Sequence, residues 1–152
     1  WELLIKEHPT FYRRTFKPRW RDMEFYAALS RLPRTRLVDL SMDTFSLIDH
    51  AAAIVTLTGT AGVEAIARGK PVLVFGCASY QDAPGVTRVR SLDDTRNALT
   101  QITESGGPDA AEVEAWLTWA AKHAAPVSKK IKRQEAIVAA VLFNSSRASK
   151  SA

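Results

Sequence analysis

Cysteine occurs once and histidine three times in 152 residues. A lone Cys77 cannot close an internal disulfide or build a cysteine zinc site, and His8, His50 and His123 lack metal-ligand spacing. No metal and no cofactor are therefore expected. A single cysteine also suits a reducing compartment. Long apolar runs are missing: none reaches the roughly 18 residues that a membrane-spanning helix requires. The dinucleotide fingerprint Gly-x-Gly-x-x-Gly is absent, and Gly69-Lys70-Pro71 lacks the Ser or Thr that must follow a P-loop lysine. With so few histidines, no Ser-His-Asp or Cys-His arrangement can be drawn. An initiator Met is absent too. Trp1 leads straight into an apolar stretch, so a piece of a larger protein is expected.

What is present is ordinary globular material, 46% hydrophobic and 24% charged, enough for one core. The expected organisation is one domain over residues 1–143 and a disordered Ser/Arg/Lys/Ala tail over 144–152. The net charge of +5 favours anionic partners, namely nucleic acid, phosphorylated small molecules or an anionic membrane face, unless it only solubilises the surface.

Apolar runs alternate with amphipathic segments. Leu3-Leu4-Ile5 reads as a buried strand ending at His8-Pro9. A helix is expected from Asp22 to Leu32, with Pro33 just past its end. Strands follow at 36–40, 53–57 and 71–75, the last apolar enough to be buried on both faces. A helix opened by Ser41 and Asp43 separates the first two of these, and a tight turn at Thr58-Gly59-Thr60-Ala61-Gly62 starts the next helix, which Gly69 ends. A short strand at 86–89, a capped helix from Ser91, and helices over 110–123 and 127–143 complete the pattern. Strand–helix alternation with apolar strands predicts an α/β fold, a Rossmann-like parallel sheet with helices on both faces and further helices at the C-terminal end. Such sheets bind ligands at the carboxyl ends of their strands. That rule selects His8-Pro9 and Thr58–Gly62.

The chemistry of these two places is suggestive. Small residues at Gly59, Ala61 and Gly62 let backbone approach a ligand, and a helix start offers free N–H groups to a phosphate. Thr58 and Thr60 add hydroxyls, and Glu64, one turn in, can accept from a ribose diol. The plain alternative is a capped turn with Glu64 on a solvated face. His8 can donate to a phosphate oxygen from a turn fixed by Pro9, or it is simply a turn neighbour. Arg13, Arg14, Lys17, Arg19 and Arg21, mixed with Phe11, Tyr12, Phe16 and Trp20, suit single-stranded nucleic acid, an anionic sugar or a lipid surface, or form a solvated loop. Trp116 and Trp119 read as packing residues. Lys129, Lys130, Lys132 and Arg133 read as a solvated helix face, with an anionic membrane contact second.

Leu4-Ile5-Lys6-Glu7-His8-Pro9, Val38-Asp39, Asp43-Thr44-Phe45, the run from Val55 to Ala65, and Gly69-Lys70-Pro71-Val72-Leu73-Val74-Phe75-Gly76 together resemble the capsule polysaccharide biosynthesis family. Its best-understood members are β-Kdo transferases using CMP-Kdo, and the similarity spans about residues 2–100. The resemblance implies the C-terminal donor-binding lobe of a bacterial two-lobed GT-B glycosyltransferase. It implies a nucleotide-sugar donor, preferably a CMP-activated acidic sugar, and a glycan or glycolipid acceptor. Catalytic carboxylates would lie on a missing N-terminal lobe, and this chain alone would not turn over. His8 would contact the donor phosphate. Thr58 and Thr60 stand where similarly built sialyltransferases use Ser, and Glu64 matches the acidic position near the ribose. A cytoplasmic location with peripheral contact to an anionic inner membrane, and no nucleic acid partner, goes with this. Two rivals remain at this point: a UDP-sugar epimerase-type lobe, and a non-enzymatic basic module acting through residues 11–21.

Overall fold

The computed structural model describes residues 1–8 and 21–123. They fall into two compact units, divided after Thr44. The fold is α/β with parallel strands and, among the described residues, five helices. The helix expected over 127–143, the tail and most of the basic aromatic stretch lie outside the described residues.

The first unit contains β1 (Leu3–Ile5), α1 (Met23–Arg31) and β2 (Thr35–Leu37). Strands β1 and β2 pair in parallel, Leu4 opposite Arg36. Helix α1 starts where expected, because the Asp22 carboxylate accepts from the Phe25 N–H at 2.9 Å and satisfies one orphan donor. Beyond β1, Lys6 Nζ donates to the Leu40 and Met42 carbonyls at 2.9 and 2.7 Å and ties the strand end to the loop after β2. Glu7 pairs with Arg21, just ahead of α1. The expectation of a buried first strand is wrong: Leu3 and Leu4 are 45% and 43% exposed. Apolar composition predicts burial only where a sheet is wide enough to be covered, and among the described residues this sheet has two strands.

The second unit carries α2 (Thr44–His50), which straddles its start, then β3 (Ile54–Thr56), α3 (Ala61–Ile66), β4 (Val72–Val74), β5 (Val86–Arg88), α4 (Leu92–Ser105) and α5 (Ala110–His123). Its sheet runs β3-β4-β5, all parallel. As its composition requires, the central strand is fully covered: Val72, Leu73 and Val74 are at most 1% exposed. Each such side chain contributes about 1.5–3 kcal/mol relative to exposure. Alternate residues face opposite layers. Val72 and Val74 pack with Ile48 of α2, Ala65 and Ile66 of α3, and Val113 and Leu117 of α5. Leu73 packs with Ala98 of α4 and with Val89. Helices therefore cover both faces. Trp116 packs against the first cluster, whereas Trp119 is 56% exposed and stacks on His123, so only one of the two tryptophans is a core residue.

Local signals fix the joints. Gly69 takes φ +66°, letting the chain reverse out of α3 while the Lys70 N–H reaches the Ala65 carbonyl at 2.9 Å. Asp109 caps α5 through the Ala111 and Glu112 N–H groups. Arg68, after α3, holds both Asp49 carboxylate oxygens at 2.5 and 2.7 Å and lies 4.6 Å above the Phe45 ring, clamping α2 to α3. Helix α4 begins with a capping box: Ser91 Oγ accepts from the Asp94 N–H at 3.1 Å, and the Asp94 carboxylate accepts from the Arg90 and Ser91 N–H groups at 2.8 and 3.0 Å.

These bonds, led by that from the Arg90 N–H, hold the Asp94 carboxyl below its usual range. A depressed folded pKa means stability present above the ordinary carboxylate range and lost as pH falls through the folded value. Thermal melts of Asp94→Asn and the unaltered chain should therefore differ at pH 7, the variant melting lower, and the gap should close in acid. A gap independent of pH would deny the carboxylate that role.

Candidate functional site

The ladder places three residues in one row at the carboxyl edge of the second unit's sheet: Thr56, Val74 and Arg88 end their strands in register. The turn from β3 into α3 rises from this edge. Thr56 Oγ1 accepts from the Gly59 N–H at 3.1 Å and folds the chain back over the strand end. Leu57, apolar but 69% exposed, faces out of the sheet end.

Tyr80, from the loop after β4, locks the turn. It is 5% exposed, and its hydroxyl donates to the Gly59 carbonyl at 2.6 Å. The Gly62 N–H donates to the same carbonyl at 3.1 Å. Burial pushes the Tyr80 hydroxyl pKa up, so it remains a donor. A Cβ at residue 62 would lie 2.3–2.6 Å from the Tyr80 ring and hydroxyl. Gly62 thus has a packing reason to be glycine, one that the sequence reading had attributed to ligand approach. Because a trans peptide points its C=O and N–H in opposite directions, anchoring the Gly59 carbonyl on Tyr80 turns the Thr60 N–H the other way.

Thr60 occupies the N-cap position with helical φ −62° and ψ −21°, and its hydroxyl makes no capping bond. The Thr60 hydroxyl therefore does not cap the helix. Among the described residues, the Thr60 hydroxyl and the Thr60 and Ala61 N–H groups engage no partner, as the first donors of a helix require. Thr58 packs its methyl beside Gly76, where a Cβ would come within 2.8 Å.

Glu64 lies in the first turn of α3 and is half-buried rather than on a solvated face. Desolvation raises its carboxyl pKa, and the Arg68 guanidinium partly opposes that. Arg68 itself is committed to Asp49. His8 is exposed at the end of the first unit's β1 segment. Pro9 lies outside the described residues. The structure thus gathers Thr58, Gly59, Thr60, Ala61, Gly62 and Glu64 on one turn and helix start. Sequence reasoning missed Tyr80 and Arg88. A lone tyrosine in a loop and an arginine closing a short strand carry no local motif. Only the strand register and the glycine contacts bring them to the site.

No helix among the described residues is long and apolar enough to cross a membrane. Neither the curated proteins nor the solved structures include one that this chain matches. Residues 1–125, however, match the family described as capsule polysaccharide biosynthesis protein. That span takes in β1 through α5 and the whole of the turn, and it covers well over half of the chain. The chain is a member of the capsule polysaccharide biosynthesis protein family.

Proposed function

We propose that this chain binds the nucleotide-sugar donor of a glycosyltransferase in capsule polysaccharide synthesis, with a CMP-activated acidic sugar such as CMP-Kdo as the donor. Transfer goes to a glycan or glycolipid acceptor, and the catalytic carboxylates are assigned to a second lobe of a GT-B enzyme. A cytoplasmic location beside an anionic membrane face belongs to the same proposal. The observation that carries it is the turn between β3 and α3. Among the described residues its Thr60 hydroxyl and its Thr60 and Ala61 N–H groups are unengaged, while Tyr80 draws the Gly59 carbonyl away. Carbonyl oxygens repel a phosphate and N–H groups attract it, so a turn with this polarity suits an anion. In a transferase, such donors stabilise charge gathering on the leaving nucleotide's phosphate as the glycosidic bond breaks. His8 is proposed independently as a phosphate donor, from its exposed position and the Lys6-Glu7-His8-Pro9 resemblance. Glu64 is proposed to accept from the ribose hydroxyls.

Calorimetric titration tests this. CMP should bind more tightly than UMP, which separates the reading from a UDP-sugar epimerase lobe. Thr60→Ala should weaken CMP by about 1 kcal/mol or more with the fold retained. His8→Ala should cost roughly 1.5–3 kcal/mol, a tenfold to hundredfold loss, and leave cytidine binding almost unchanged. Equal losses for CMP and cytidine would move His8 to the base or to the fold, and no binding of CMP would end the proposal.

Glu64 offers a second test of opposite sign. Its raised pKa means that the ionised form is disfavoured in the folded chain, so stability falls as pH rises through the carboxylate range. Glu64→Gln should therefore melt at or above the unaltered chain at pH 7 while binding CMP more weakly. A variant that melts lower and binds equally well would make Glu64 a structural residue.

A further inference from the structure

The row Thr56–Val74–Arg88 ends in a cation that the reading so far leaves unused. Arg88 is half-buried, and among the described residues no carboxylate pairs with it. Its side-chain contact is a long one, from Nη2 to Cys77 Sγ at 3.9 Å. Arginine stays charged, and its N–H fork is shaped for planar or tetrahedral oxyanions. Of the other described arginines of this unit, Arg68 pairs with Asp49 and Arg96 with Asp93, while the exposed Arg90 side chain acts on Asp94 through its charge.

Its position is what gives the cation meaning. Parallel strands lie about 4.8 Å apart, which sets Arg88 roughly 10 Å across the sheet from Thr56, on the same face. Between them the β4 loop presses on the turn. Gly76 donates its N–H to the Leu57 carbonyl at 3.1 Å, and a Cβ there would meet the Thr58 methyl. Cys77 follows directly, and Arg88 reaches it. Thr58, Gly76, Cys77 and Arg88 thus form a continuous rim along the carboxyl edge, open at the exposed Cys77. Arginine is the residue suited to bidentate phosphate contact, and this one reaches Cys77, next to the Gly76 that packs on Thr58 of the turn.

We infer that Arg88 is an oxyanion-binding residue of this rim, taking phosphoryl oxygens of a nucleotide held at the Thr58–Glu64 turn. The inference rests on the turn being the nucleotide site.

Cys77 is the sole cysteine of the chain and therefore a single-site reporter beside Arg88. The rate at which a thiol reagent modifies it is measured at fixed pH with inorganic phosphate, CMP or cytidine, in the 152-residue chain and in Arg88→Gln. Phosphate and CMP should slow the reaction and cytidine should not. Arg88→Gln should abolish the phosphate protection and weaken CMP about tenfold or more, with cytidine binding retained as the sign of an intact fold. If CMP binds, Thr60→Ala weakens it, and Arg88→Gln leaves it unchanged with no protection of Cys77, the role of Arg88 is overturned and the turn stands. Phosphate protection that needs Arg88, without any CMP binding, upholds the oxyanion site and ends the nucleotide reading. Protection by neither ligand, together with no binding of CMP, overturns both. Should Arg88→Gln not fold, protection of Cys77 in the unaltered chain still decides.

Discussion

Burial of β4 is the constraint from which the second unit is organised. Three residues, Val72, Leu73 and Val74, have essentially no exposure, so helices must lie on both faces. Hydrogen bonding then fixes β3 and β5 alongside in register. Once the register is set, the ends of the strands are set, and every loop that leaves the carboxyl edge starts from the same line. The turn into α3, the loop carrying Cys77 and Tyr80, and the segment from Arg88 to the Ser91 cap all begin there. A shift of one residue in any strand would put its apolar side chains on the opposite face, so the edge chemistry inherits its precision from the core.

Local rules predicted local features well. The start of α1 at Asp22, the Ser91 capping box, the Gly69 reversal and the start of α5 are all set by residues within one turn of the joint, and all are where the sequence puts them. The buried character of β4 was equally legible from its run of bulky apolar residues, and there the flanking strands and helices supply the cover. The failure at β1 has the opposite cause. Leu3 and Leu4 look like core residues, yet burial depends on what lies above and below, and a two-stranded sheet gives them too little cover. Trp119, which reads as a residue of core or inter-lobe packing, lies outside this unit's core for a reason of local geometry. Its helix has one face on the core, and a residue three positions from Trp116 already turns out of it.

The candidate site shows the same division. Thr58 to Glu64 announce themselves because small residues, hydroxyls and a carboxylate are contiguous in the chain. Tyr80 and Arg88 are separated from them by sequence and joined to them by the sheet, so they became visible only with the pairing known. Glu64 changes character in the fold as well. From the sequence it is a surface carboxylate on a helix, but its half-buried position raises the cost of its charge, which is a property of the surroundings rather than of the residue.

The contact between Gly62 and Tyr80 has a consequence for how this family's sequences can drift. The tyrosine ring fills the space in which a side chain at 62 would grow, and its hydroxyl holds the Gly59 carbonyl. Neither position can change alone without cost: a larger residue at 62 meets the ring, and a smaller one at 80 leaves a void beside α3 and a carbonyl without one of its donors. Residues 62 and 80 are therefore free to vary only as a pair. Relatives in which 62 carries a side chain should carry a small residue at 80 and a differently anchored turn.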